Sequence, residues 1–177
     1  TTDTWTTMTT QNAPLERGLH TAIWTGSEMI VWGGCGPFDQ DFCALNDGGR
    51  YNPAADVWTD VSDIGAPSTR LRHTAVWTGS EMFIWGGCAY STSGTICHLR
   101  NDAKRYDPTA DAWNSVSSTG ALPAAGSRKG VWTGDEVVIW NGASFGGGRY
   151  DPASDSWTPM SSANEPPVNN SFSIVWT

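Results

Sequence analysis

The stretch His20-Thr21-Ala22-Ile23-Trp24-Thr25-Gly26-Ser27-Glu28-Met29-Ile30-Val31-Trp32-Gly33-Gly34 decides the fold, because the chain writes it again. The second copy reads His73-Thr74-Ala75-Val76-Trp77-Thr78-Gly79-Ser80-Glu81, then Ile84-Trp85-Gly86-Gly87. A looser third reads Val131-Trp132-Thr133-Gly134-Asp135-Glu136, then Ile139-Trp140-Asn141-Gly142. Each copy is followed by a loop and a second block: Arg50-Tyr51-Asn52-Pro53 with Asp56-Val57-Trp58, Arg105-Tyr106-Asp107-Pro108 with Asp111-Ala112-Trp113, and Arg149-Tyr150-Asp151-Pro152 with Asp155-Ser156-Trp157. Trp24, Trp77, Trp132 and Trp176 stand 53, 55 and 44 residues apart, and Trp5, Trp58, Trp113 and Trp157 repeat those intervals.

A period near 50 residues belongs to propellers and arrays. Four strands are expected per unit. The first and second flank a Gly-Ser or Gly-Asp turn, which favours a tight hairpin. Met29-Ile30-Val31-Trp32 is apolar on both faces, so both faces should be covered. The third and fourth strands flank a proline-led turn that ends on aspartate. The fourth, Val57-Trp58-Thr59-Asp60-Val61, mixes polar and apolar residues as an outer strand does. No apolar period of 3.6 is present, so the reading is all-β.

A glycine doublet after an apolar strand, then a tyrosine, then a tryptophan seven positions on, resembles the kelch repeat. Gly33-Gly34 with Tyr51 and Trp58 carries the likeness, as does Gly86-Gly87 with Tyr106 and Trp113. The third copy keeps Tyr150 and Trp157 but has Asn141-Gly142 for the doublet. The wording His-Thr-Ala-Val-Trp-Thr-Gly-Ser-Glu-Met resembles kelch-like repeats of secreted bacterial proteins. The resemblance implies four-stranded blades around a central channel, here over approximately 19–62, 72–117 and 128–161 of a single segment, 1–177. It says little about activity, because propellers host unrelated functions. Both ends cut the repeat mid-unit. Residues 1–8, with Trp5, are expected as an outer strand, and 171–177, with Trp176, as an inner one. The remaining blades would come from the rest of a longer chain or from a partner chain.

Composition narrows the partner classes. A net charge of −8, with Lys104 and Lys129 the two lysines of 177 residues, argues against nucleic acid and anionic membrane surfaces. No run approaches the roughly 20 apolar residues that cross a bilayer, so no membrane insertion is expected.

Length variation is confined to one place. From Trp32 to Tyr51 is 19 residues, from Trp85 to Tyr106 is 21, and from Trp140 to Tyr150 is 10. In an antiparallel meander these second–third loops share a face with the fourth–first connections, while the Thr-Gly-Ser-Glu and proline turns share the other. One face is therefore elaborated and the other uniform, and binding usually resides in loops of the first kind. All four cysteines lie in the long loops. Their even count and repeated placement predict Cys35–Cys43 and Cys88–Cys97 disulfides, tethering the two loops independently, in an extracellular or periplasmic compartment. A metal site built from the cysteines and His98 is the alternative, without a Cys-x-x-Cys spacing behind it.

Recurrent residues are read as structural: His20 and His73, the turn glutamates Glu28, Glu81 and Glu136, Arg50, Arg105 and Arg149, and Asp3, Asp56, Asp111 and Asp155. Asp39-Gln40-Asp41 offers too few carboxylates for calcium. Arg17, Arg70, Arg72, Arg128 and Lys129 lie at or just before first strands. The resemblance implies that such arginines ring the channel mouth and meet anionic or polar ligands; otherwise they are loop charges balanced by Asp39, Asp41, Asp47 and Asp102. The binding candidates are Arg17, Phe38, Arg70, Arg72, Tyr90, His98 and Arg128. No catalytic constellation, cofactor or metal is expected. The leading reading is a non-catalytic extracellular binding or scaffold module for a protein or carbohydrate ligand. A sugar-active domain resembling sialate mutarotases or galactose oxidases is the alternative, and a purely structural blade array is another.

Overall fold

A computed structural model of the chain describes residues 3–37, 43–90, 96–124, 126, 128–140, 146–161, 163–164 and 172–177. It is all-β. The first blade is a meander of β1 (Thr21–Trp24), β2 (Met29–Trp32), β3 (Gly48–Asn52) and β4 (Val57–Asp60). The second is formed by β5 (Thr74–Trp77), β6 (Met82–Trp85), β9 (Ala103–Asp107) and β10 (Ala112–Ser115). Between β6 and β9 the elaborated loop folds into its own hairpin, β7 (Cys88–Tyr90) with β8 (Cys97–Leu99). The third blade is β11 (Lys129–Trp132), β12 (Val137–Trp140), β13 (Gly147–Asp151) and β14 (Ser156–Pro159). Every pairing is antiparallel, and the first strands are innermost, β5 touching both β1 and β11.

The turns explain the repeated wording. Thr25 N–H donates to the Glu28 carbonyl at 2.9 Å across Gly26-Ser27, and the Thr25 hydroxyl accepts the Glu28 N–H at 2.9 Å. Thr78 and Thr133 do the same for Glu81 and Glu136. At the other turn the Asn52 side chain accepts the N–H groups of Ala54 and Ala55. Asp56, Asp111 and Asp155 end these turns at φ of 52°, 48° and 48°, a left-handed conformation that short polar side chains tolerate better than most.

Second strands are apolar on both sides because blades stack face to face. Met82 and Ile84 of β6 enter a cluster with Ile30 and Trp32 of the first blade. Phe83 and Trp85, pointing the other way, join Val137, Ile139 and Tyr150 of the third. The core is thus two inter-blade seams, and each large side chain buried there contributes about 1.5–3 kcal/mol. The two outward flanks end differently. Trp24, 53% exposed, borders an apolar depression of about 450 Å³ on the first blade. Val138 and Trp140 border one of about 320 Å³ on the third, with Ile174, Val175 and Trp176 against it.

One expectation fails in detail. The described parts of 1–8 and 171–177 carry no strand, and Trp5 is fully exposed. A strand needs a neighbour for its ladder, and the described strands pair within their own blades or within the loop hairpin. Downstream of Trp5, however, the chain does what a fourth–first connection should. Thr9 donates its N–H to Asp56 at 2.9 Å and accepts the Trp58 indole N–H at 3.1 Å. Ser62 makes the same pair of bonds with Asp111 (3.0 Å) and Trp113 (2.7 Å), and Ser117 with Asp155 (2.9 Å) and Trp157 (2.9 Å). The tyrosine of each block, Tyr51, Tyr106 or Tyr150, donates to the same aspartate.

Replacing Asp111 by alanine should cost about 2–3 kcal/mol of stability, from an orphaned tyrosine hydroxyl and a β-carbon at positive φ with no polar group to help it. Asp111→Asn, which keeps a carbonyl acceptor, should cost about 1 kcal/mol in a urea titration. Acid should act on the same contacts. The Thr9 N–H and Tyr51 hydroxyl hold the Asp56 carboxyl below its ordinary value of 3.8, and the Ser117 N–H and Tyr150 hydroxyl do so for Asp155. Depressed folded values mean stability that is complete above the unfolded value and is lost as pH falls through the folded ones. Urea midpoints should therefore drop below about pH 4, and the slope should flatten in the Asp56→Asn/Asp155→Asn variant.

Candidate functional site

The elaborated face rises from two arginine-clamped necks. Arg17 donates to the Gly33 carbonyl and the Asp47 carbonyl, both at 3.1 Å, and pairs with the Asp47 carboxylate at 3.0 Å. Gly33 and Asp47 are the two roots of the first long loop. Arg70 repeats this on the second, donating to Gly86 O at 3.0 Å and to the Asp102 carboxylate at 2.7 Å. Its side chain has no exposed surface, and that of Arg17 only 3%. Burial lowers the Arg70 pKa, with the Asp102 pair pulling against it. The second glycine of each doublet lies where chains touch: a β-carbon at Gly34 (φ 94°) would meet Gly18 O at 2.6 Å, and one at Gly87 (φ 84°) would meet Leu71 O at 2.7 Å.

Above the necks stand the disulfides, paired as expected: Cys35–Cys43 and Cys88–Cys97. They are not independent. Cys35, Leu71 and Cys88 are buried together, with Cys43, Ala44, Tyr90 and Cys97 against them. Flanking Cys97 in sequence, Ile96 is 60% and Leu99 52% exposed, and His98 is exposed between Cys97 and Leu99.

The expected binding residues therefore divide. Arg72 and His98 are exposed, and Tyr90 is half-buried on β7 against the disulfide cluster. Arg72 sits at φ 55° and donates its N–H to Leu19 O at 3.0 Å. Arg17 and Arg70 are structural, their guanidinium groups consumed by loop carbonyls and carboxylates. Arg128 is 3% exposed, with its guanidinium 4.9 Å over the Trp85 ring and bonded to Pro123 O at 3.1 Å. Among the described residues its Nε and Nη1 have no hydrogen-bond partner, and burial pushes its pKa down to about 10. Phe38 and the Asp39-Gln40-Asp41 run lie outside the described residues.

His73 occupies the place equivalent to Arg128. It is 5% exposed, packs edge-on to Trp32 with centroids 5.3 Å apart, and shares a 2.7 Å bond between its Nε2 and the Thr21 hydroxyl. Burial, with nearby Arg70 and His20, pushes its pKa down to about 3, so the ring is a neutral structural element at physiological pH. Repetition had pointed that way. Among the described residues no three His, Cys, Asp or Glu side chains gather as a metal set.

The uniform face holds a feature that sequence reasoning missed. A cavity of about 670 Å³ opens there between the first two blades, bordered by Thr25, Glu28, Trp77, Glu81, Asp107 and Thr109. No motif announces it, because it comes from two repeated turns meeting across a seam. Glu81 is committed to Arg105 at 3.2 Å, and Glu136 likewise to Arg149 at 3.2 Å.

Comparison with known proteins agrees with this architecture. The family model described as the KLHDC2/KLHL20/DRC7 Kelch-repeats domain matches residues 1–176. The chain is 27% identical over 151 residues to Kelch domain-containing protein 3 of Homo sapiens, covering 80% of this chain and 38% of that protein. Kelch-like protein 25 of Xenopus laevis is 31% identical over 93 residues, 52% of this chain and 14% of its own length. A Drosophila melanogaster leucine-zipper-like transcriptional regulator 1 homolog is 29% identical over 134 residues, 75% of this chain and 13% of its own. All three are animal proteins, which gives the expected likeness to bacterial secreted repeats no support. With its repeats in register along almost the whole length, the chain belongs to the kelch-repeat family.

Proposed function

We propose that this chain is a non-catalytic binding or scaffold module whose working surface is the elaborated face. One observation carries the reading: two clamped, disulfide-braced loops stand side by side on the first two blades, while the third blade has a connection about half as long. That leaves a step bounded by Tyr90, His98, Arg72 and the exposed Ile96 and Leu99. A braced surface loses little conformational entropy when it binds, and arginine and tyrosine are frequent anchors. The relatives' names place them among kelch proteins, and the partner is read as a protein segment, with a carbohydrate as the second choice. The disulfides favour an oxidising compartment, extracellular or periplasmic. The apolar flanks at Trp24 and Trp140 are read as seats for further blades, from a longer chain or a partner.

The sugar-active alternative requires acid–base groups converging in the channel. At the first-strand ends the perturbed groups are His73 and Arg128, both buried and engaged with tryptophan rings. That arrangement gives the alternative no support.

Panning the immobilised protein against a displayed peptide library and a glycan array tests the face and the ligand class together. Arg72→Ala/His98→Ala, both exposed, should weaken the selected ligands at least about tenfold, as loss of interface anchors does. Glu28→Ala/Glu81→Ala on the uniform face should leave them unchanged. The reverse outcome in folded variants would move the working surface to the cavity between the turns, and selection of glycans alone would replace the protein ligand by a carbohydrate.

A further inference from the structure

We propose that the two disulfide loops are one redox-responsive unit, in which reducing either bond releases both loops. The segment Arg70-Leu71 is stitched to each. Gly34 N–H donates to Arg70 O at 2.9 Å, and Arg70 N–H donates to Leu45 O at 3.0 Å, which ties it to the first loop. Leu71 exchanges N–H···O bonds with Cys88 at 2.9 and 3.0 Å, and the Arg70 guanidinium grips Gly86 and Asp102, which ties it to the second. The Leu71 side chain is fully buried between Cys35 and Cys88, themselves 1% and 2% exposed. The first loop is closed by a Cys35–Ala44 bridge and a 2.9 Å bond from Gly36 N–H to Cys43 O. Among the described residues neither loop has an apolar cluster of its own. They share one, small enough that opening half of it removes the packing of the other half.

Access is asymmetric. Cys43 and Cys97 are partly exposed while their partners are buried. A dithiol reductant attacks the Sγ of Cys43 or Cys97, breaking the S–S bond and leaving the buried cysteine as a thiolate that takes up a proton. The reductant's second thiol then displaces the mixed disulfide and leaves as a cyclic disulfide, so the protein gains two electrons and two protons. The freed loop regains chain entropy, Leu71 loses one wall of its seat, and the second disulfide becomes easier to reach. The third blade has no cysteine and no such loop, so the change stays on the first two. This inference concerns the loops and stands whichever ligand the face takes.

Dithiothreitol reduction with timed alkylation and intact-mass counting tests it on the unmodified chain. Coupling predicts species with no or four alkylated cysteines and little of the two-alkyl form; a two-alkyl species that accumulates and persists would overturn it. In Cys35→Ser/Cys43→Ser the remaining Cys88–Cys97 bond should reduce about tenfold faster than in the parent, a coupling in the range of residues sharing a cluster. An unchanged rate would equally overturn it. In a Leu71→Ala background the same pair of substitutions should alter that rate by less than about twofold, because the shared wall is already gone. Tryptophan emission confirms that each variant keeps its seams, and it separates local release from global unfolding.

Discussion

Everything in this chain hangs on one backbone unit per repeat, gripped from both sides by the following blade. At Thr9, Ser62 and Ser117 an aspartate takes the N–H and a tryptophan indole fills the C=O. The linker between blades runs beside no strand that could pair with it, and its half-buried backbone groups take these side-chain partners instead. The aspartate reaches because it sits at positive φ, and its second duty is the tyrosine hydroxyl. That lets the tyrosine, buried in the second and third blades and half-buried in the first, lie across the tryptophan with ring centroids 5.0–5.2 Å apart in all three. The grip fixes how each blade is rotated against the last. Only then do Met82 and Ile84 meet one neighbour while Phe83 and Trp85 meet the other.

On top of this frame, the two tall loops share one set of parts. An arginine holds both roots of the loop, and a disulfide holds it higher up. The third blade has neither: where the first two carry Arg17 and Arg70 it has Ala125, and where they carry Asp47 and Asp102 it has Gly146. The parts are gained or lost together because each makes sense only with the others. A buried guanidinium without its carboxylate and carbonyls would be an uncompensated charge, and a short connection has no neck to clamp.

That co-occurrence explains what the sequence made legible and what it did not. The strands, their order and the disulfide pairing were readable because each depends on local spacing: a tight hairpin, a proline turn, two cysteines in one loop. Arg17 and Arg70 were placed among the ligand-facing candidates because they recur in only two of three copies, which looks like functional variation, while their guanidinium groups are engaged by loop carbonyls and carboxylates. The signal was the matched presence of Asp47 and Asp102, a correlation between positions 30 and 32 residues apart. The merging of the two loops through Leu71 was not legible, since apolar contact between neighbouring blades leaves no mark on spacing. Nor was the cavity between the turns, which depends on how far adjacent blades splay.

The seams differ in charge where the first strand begins. A flat side chain at the head of the first strand must cover the tryptophan that ends the previous second strand. Across the first seam this is neutral His73 against Trp32; across the second it is Arg128 against Trp85. Either group closes its seam, but not at equal cost. The neutral imidazole bonds the Thr21 hydroxyl through Nε2, while its buried Nδ1 has no hydrogen-bond partner among the described residues. A guanidinium arrives charged, and its desolvation is offset by the indole face and the Pro123 carbonyl. The second blade, with Thr74 in the place of Thr21, spends that hydroxyl on the Arg128 carbonyl instead, at 2.7 Å. Blades with interchangeable seams could stack in the wrong order while folding. The two seams are not interchangeable, because exchanging them would take the Thr21 hydroxyl from the imidazole and the Pro123 carbonyl from the guanidinium, the one hydrogen bond that each ring or guanidinium makes among the described residues.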